Sequence, residues 1–234
     1  MGMMLPNELI WIMEKLGFEW PDIDEDELRR GGVIISTFRD ELEDRLQAVD
    51  RKVNGDIAAA MRGQAGPAFV SAWNTNRSQN LQSLLDLLGP VQPGLEIGAG
   101  VVTGLKLKVI ADITSTLLIL IPMLTNPVTA AGAGGMLLLK KKLLDAAVDI
   151  AVEQVLNQVL PMAIEPLAEE LPGVIMAALD APIVEAVAGD PDEFYADLQA
   201  LEQAEGDMEM YAGDIESLID RLGADLSSLN ITGD

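Results

Sequence analysis

From Leu28 onward, apolar residues fall at Leu28, Ile35, Phe38, Leu42, Leu46, Val49, Val53 and Ile57. These steps of three, four or a short multiple line one face of an α-helix, and the positions between them are largely charged. A second apolar face follows at Phe69, Trp73, Leu81, Leu84 and Leu88. Pro67 suits its first turn, where a missing N–H has no helical partner to lose. Between the two faces lies AMRGQAGPAFVSAW, Ala60 to Trp73, in which Gly63 and Gly66 supply the freedom to reverse direction. The pattern predicts an antiparallel helical hairpin with an aromatic pair just inside its second arm.

The middle of the chain has a different texture. From Ile113 to Leu139 there are 27 residues without a charge, bounded by Asp112 and by Lys140, Lys141 and Lys142. A bilayer span needs about 20 apolar residues. Pro122, Asn126-Pro127, Gly132, Gly134 and Gly135 break the run, so the expectation is a second hairpin turning at Asn126-Pro127. Its arms would run from near Leu95 to Met123 and from near Val128 to Leu160. Gly100-x-x-x-Gly104 and Ala131-x-x-x-Gly135 permit close helix approach in lipid and in soluble bundles alike. Two readings stay open: a hairpin buried in a bundle or against a partner, or one that inserts in a membrane, marked by Ile113, Pro122, Asn126, Pro127 and Leu139. Insertion would require Lys106, Lys108 and Asp112 to be sheltered, with Lys108 and Asp112 spaced to pair.

Prolines 161, 166, 172 and 182 then cut the chain into a kinked connector. A last helix is predicted to start at Asp190-Pro191, with Glu193 answering the cap. Its apolar positions Phe194, Leu198, Leu201, Met208, Ala212, Ile215, Ile219, Leu222, Leu226 and Leu229 step by four and three, interrupted at Glu205. That is the pattern of a coiled-coil seam. Gly206, Gly213 and Gly223 mark places for it to bend or end early. The expected divisions are 1–90, 91–188 and 189–234. The expected fold is all-α: an elongated helical bundle of a hairpin, a central apolar hairpin and a C-terminal coiled-coil-like helix.

Composition narrows the chemistry. The chain has 234 residues, 49% of them hydrophobic and only 4% aromatic, enough for a sizeable core and poor in strand formers. Histidine and cysteine are both absent, which removes the usual general base, the usual zinc ligands, thiol nucleophiles and disulfides. Carboxylate pairs such as Glu169/Glu170 and Asp190/Asp192 read as solvated faces or caps. No catalytic, cofactor-binding or metal-binding residue is therefore expected, and the chain reads as non-enzymatic. The net charge is −23, and 18 of the 38 acids but only one base, Arg221, lie from Glu165 onward. A phosphate backbone would be repelled, so nucleic acid is excluded as a partner. The N-terminus lacks the basic region and early apolar run of a secretory signal peptide.

Met61-Arg62-Gly63, followed by Ala68-Phe69 and Trp73, is similar to the Trp-x-Gly elbow of the small helical-hairpin proteins exported by type VII (ESX) secretion systems, with Met61 in the place of the tryptophan. The N-terminal LPNELIWIMEKLGFEWPDIDEDELRR, through Trp11, Gly17, Trp20 and Pro21 among others, resembles the opening of the WXG-like N-terminal domain of actinobacterial polymorphic toxins. That resemblance covers roughly the first ninety residues. It implies a non-catalytic export and docking domain, with toxic activity in a separate C-terminal domain. It further implies that the hairpin pairs with small WXG-type hairpin proteins or with the chain's own later helices, that the type VII machinery is a partner, and that secretion follows a signal-peptide-independent route, with a cell-surface or membrane-associated destination. Met61, Gly63, Phe69 and Trp73 are the expected elbow and partner contact. Substrates of that route commonly carry a tyrosine followed four residues later by an acid. Tyr195 and Tyr211 are followed there by Gln199 and Ile215, so the signal is expected from a partner. The alternative is a membrane-inserting or channel-forming segment of a secreted toxin.

Overall fold

In the computed structural model of this chain, residues 2–3, 13, 20–62, 65–125, 169–170, 172–174, 177 and 195–231 are described. The fold is all-α. In order, the elements are α1 (Glu25–Lys52), a π-turn (Val53–Ile57), the single turn α2 (Ala58–Ala60), β1 (Met61–Arg62), α3 (Ala65–Asn76), a second π-turn (Arg77–Leu81), α4 (Gln82–Leu88), α5 (Val91–Thr125), β2 (Tyr195–Ala196) and α6 (Leu198–Ser227). Contacts divide the chain into two compact units, Val33–Gln92 with Ile164–Ser228, and Met1–Gly32 with Pro93–Ala163 and Leu229–Asp234.

The unit Val33–Gln92 with Ile164–Ser228 is built on a hairpin. Its arms are antiparallel, because partners on α1 fall in number as those on the second arm rise: Asn54 bonds Asn74, Asp50 bonds Trp73 and Arg77, Glu43 bonds Arg77, and Arg39 bonds the Leu85 carbonyl. The core sits between the arms in two clusters. Leu42, Leu46 and Leu85 gather Phe38, Leu81, Leu84 and Ile215. Nearer the turn, Val49, Val53, Ile57 and Ala204 gather Met61, Phe69, Val70, Trp73, Leu201, Met208 and Tyr211. Leu201, Ala204, Met208, Tyr211 and Ile215 belong to α6, which therefore packs on both clusters of the hairpin. Three ion pairs, Lys52–Asp207, Arg45–Asp214 and Arg221–Glu41, run along α1 and α6 in opposite directions and fix their register. Asp207 and then Asp56 hold the Lys52 ammonium protonated well beyond the usual lysine range.

Both arms widen into a π-turn, a feature that shifts every later side chain around the helix. Polar side chains answer backbone groups there. Asn54 Nδ2 donates to the Asp50 carbonyl at 2.9 Å, and Thr75 and Ser78 donate to the carbonyls of Ser71 and Thr75. In the second arm Leu85 is in the core, at 2% exposure, beside the expected Leu81, Leu84 and Leu88.

The other unit is organised by the start of α1. Asp24 caps the helix, its Oδ1 accepting the N–H groups of Asp26 and Glu27 at 2.9 and 3.2 Å. Its Oδ2 takes the Gly2 N–H at 3.0 Å. Glu25 is buried and accepts Lys106 Nζ from α5 and the Met3 N–H, each at 2.5 Å. Asp24 also donates its N–H to the Ile231 carbonyl at 2.8 Å, and Glu27 accepts the N–H of Asn230. Segments 2–3 and 229–231 thus meet on one acidic helix start. Gly2 fits there because a Cβ would sit 2.6 Å from Asp24 Oδ1.

These carboxylates carry a pH dependence with a definite sign. Burial alone would raise the pKa of both, but the Lys106 and Met3 hydrogen bonds hold Glu25 below its ordinary value, and the Gly2, Glu27 and Asp26 N–H groups do the same for Asp24. A depressed carboxylate stabilises the fold fully above its unfolded pKa and loses that contribution as pH falls through the lower folded value. Urea midpoints should hold steady from pH 7 to about 5 and decline below roughly 4. Glu25→Gln should flatten part of that decline.

α5 is a single helix from Val91 through Pro122 to Thr125; the expected first arm ran from near Leu95 to Met123. A proline inside a helix removes one backbone donor without forbidding the residues after it. Ile113 is buried at 1% exposure. Asn126, Pro127 and Leu139 lie outside the described residues. Among the described residues, Lys106 is sheltered on this helix by Glu25, while Lys108, which the insertion reading would pair with Asp112, is exposed. Among the described residues, no helix is long and apolar enough to cross a membrane.

Candidate functional site

The hairpin's turn is closed by a contact that no local pattern predicts. β1 pairs antiparallel with β2, Met61 opposite Ala196 and Arg62 opposite Tyr195, and the Asp197 N–H reaches the Ala60 carbonyl at 2.9 Å. Asp197 then caps α6, accepting the Ala200 N–H at 3.1 Å. This corrects the expected start of the last helix. Tyr195 and Ala196 are extended and pinned to the elbow, and α6 begins at Leu198; Asp190 through Phe194 lie outside the described residues.

At the elbow, Met61, Phe69, Val70 and Trp73 face Val49, Val53 and Ile57 of the first arm and Leu201, Ala204, Met208 and Tyr211 of α6. The Trp73 ring is packed while its N–H keeps a partner, Nε1 donating to Asp50 Oδ1 at 2.8 Å. The second oxygen of Asp50 accepts Arg77 Nε at 3.1 Å. Arg77 Nη2 reaches Glu43 Oε2 at 2.7 Å, and Nη1 reaches Gln82 Oε1 at 3.2 Å. With its side chain only 13% exposed, Arg77 is a charge-assisted clamp across the two arms.

Of the expected elbow residues, Met61, Phe69 and Trp73 come together in one cluster, and Gly63 lies outside the described residues. Gly66 is the glycine the geometry demands: a Cβ there would lie 2.5 Å from the Met61 carbonyl oxygen, which belongs to the β1 backbone and has little room to retreat. Gly66→Ala should cost about 1–3 kcal/mol in urea unfolding. Alanine at exposed Gly55, where no atom lies within 4 Å, should be neutral or slightly stabilising.

The N-terminal motif falls elsewhere. Pro21 is buried and Trp20 lies with Lys106 Nζ 5.6 Å from its ring centroid, both in the unit containing the α1 start. Trp11 and Gly17 lie outside the described residues. Trp20 and Pro21 thus belong to one unit and Met61, Phe69 and Trp73 to the other.

The seam on α6 is also corrected. Its inward row is Leu201, Ala204, Met208, Tyr211, Ile215 and Leu218, an unbroken three-and-four spacing. Ala204, Tyr211 and Leu218 take the places that the sequence pattern gave to the more exposed Glu205, Ala212 and Ile219. Gly206, Gly213 and Gly223 sit in open positions and the helix runs through all three.

Sequence reasoning missed Asp50 and Arg77. Their signal was present, since Arg77 is the only base between Gly63 and Gln92 and shares a stretch with only one acid, Asp86. A lone guanidinium among Ser, Asn and Gln residues beside an acidic partner helix is a candidate clamp. Among the described residues, no group of three or more His, Cys, Asp or Glu side chains is placed to hold a metal ion.

Fold and site together define an all-α protein whose helical hairpin is closed at its elbow by a third helix of the same chain. No family model, no curated protein and no solved structure matches it.

Proposed function

We propose that this chain is a non-catalytic export and docking domain of a type VII secreted toxin-like protein, its hairpin completed by its own later helix. The observation that carries the reading is the antiparallel hairpin whose Met61, Phe69 and Trp73 elbow is covered in cis by α6. The N-terminal resemblance around Trp20 and Pro21 supports it further. Small WXG-type hairpin proteins then join as export partners and not as obligatory folding partners. Tyr211 favours the same division of labour: its ring packs against the Val53 cluster, leaving it poorly placed to display an export signal, which the partner supplies.

The test is secretion. The tagged full chain is expressed in an actinobacterial host with the neighbouring small hairpin proteins, and culture filtrates are compared with and without a working type VII ATPase. Export that requires both the ATPase and the partners is the expected result. Export that ignores both, or no export with all parts present, would overturn the reading.

A further inference from the structure

Among the described residues, one row of α6 with large aliphatic side chains is exposed. Counting by sevens, Leu198, Glu205, Ala212, Ile219 and Leu226 form a single line beside the buried seam, and all five are exposed: Leu198 at 72%, Ile219 at 55% and Leu226 at 38%. The row on the opposite flank of the seam, Asp207, Asp214 and Arg221, is charged and is satisfied in cis by Lys52, Arg45 and Glu41 of α1. One flank thus behaves as a helix edge normally does, with charges paired across to a neighbour. The other carries three large aliphatic residues, Leu198, Ile219 and Leu226, with Glu205 and Ala212 between the first and the second.

The next row outward decides what fits there. Glu202, Glu209 and Glu216 stand seven residues apart, about 10.5 Å per step at ~1.5 Å per residue, all exposed. Among the described residues none of the three has a cationic partner, and the single base on α6, Arg221, is engaged by Glu41. Exposed Leu198, Ile219 and Leu226, flanked by a row of carboxylates, match an amphipathic helix with apolar residues on one face and Lys or Arg beside them. A second copy of this chain is a poor match, because apposed α6 rows would bring like charges together in a protein of net charge −23. An anionic lipid surface is repelled for the same reason.

We infer that the Leu198–Leu226 row of α6, with Glu202, Glu209 and Glu216 beside it, is a docking surface for a basic amphipathic helix of a partner protein. It rests on this helix face alone. Export without peptide binding would remove only this inference, and peptide binding without export would remove only the secretion reading.

The test uses the full chain and two fluorescein-labelled helical peptides with the same Leu/Ile face, one flanked by lysines and the other by glutamates at the same positions, read by fluorescence anisotropy. The lysine peptide should bind at least tenfold more tightly. Ile219→Asn with Leu226→Asn leaves the net charge untouched and alters only exposed positions; it should weaken lysine-peptide binding at least tenfold while the circular dichroism melt stays in place. The triple charge reversal Glu202→Lys, Glu209→Lys, Glu216→Lys should invert the preference toward the glutamate peptide. Equal binding of the two peptides would overturn the inference. So would an affinity unmoved by the asparagine pair, which would mean attraction by net charge alone. Self-association of the chain that the asparagine pair abolishes would make a second copy the occupant and would overturn it as well.

Discussion

Replacing Lys106 with methionine should lower stability by about 3–5 kcal/mol, the largest single effect expected in the molecule. Lys106 and Glu25 are 4% and 3% exposed, and their 2.5 Å contact joins α5 to the first turn of α1. Methionine keeps the length of the side chain and removes the ammonium, so Glu25 is left as a buried carboxylate whose remaining described partner is the Met3 N–H. The cost comes from that stranded charge more than from the lost attraction. The double variant Lys106→Met with Glu25→Gln should recover most of the loss, because the glutamine carbonyl still accepts the Met3 N–H and no charge is buried. Thermal melts report this as a midpoint lowered by roughly 6–20 °C in the single variant and largely restored in the double. A single variant within about 0.5 kcal/mol of wild type would mean that the pair is solvated and that α5 is held to α1 by apolar contacts alone.

Trp73→Ala should cost about 3 kcal/mol, because it strips the indole from the Val49, Val53, Ile57 and Ala204 cluster and removes the donor to Asp50 Oδ1. Trp73→Phe separates the two contributions. It retains an aromatic body and gives up only the N–H, which water replaces at a carboxylate still held by Arg77, so about 1 kcal/mol is expected. Circular dichroism at 222 nm during urea unfolding reads both without relying on tryptophan emission. If alanine and phenylalanine cost the same, the hydrogen bond matters and the packing does not, contrary to the elbow described above.

Much of the hairpin was legible before any coordinates, and the physical reason is local. Leu42, Leu46, Val49, Val53 and Ile57 share a face of one continuous helix, so their spacing alone reports their common burial. Leu85, four residues after Leu81 and three before Leu88, lies on the same face of the second arm and belongs with them in the core. The β1–β2 pair was not legible, since two residues on each side, far apart in sequence, generate no period. On α6 the sequence offered two neighbouring rows. Ile219 and Leu226 are more hydrophobic than Ala204 and Tyr211, but burial is decided by which row faces Val49 and Val53. The same holds for Lys106, which reads as an interruption of an apolar arm until a glutamate 81 residues away comes beside it.

Closure of the hairpin in cis is the claim on which the rest stands, and Lys52 and Asp207 test it most directly, being 2.6 Å apart across α1 and α6. Zero-length carbodiimide cross-linking of an equal mixture of unlabelled and nitrogen-15-labelled full chains, at low concentration and without partners, followed by mass spectrometry, reports whether that contact forms within one chain. The expected result is a Lys52–Asp207 amide in monomers, with each cross-linked peptide pair wholly light or wholly heavy. Mixed-isotope pairs, or a cross-link that appears only when a partner protein is added, would contradict it.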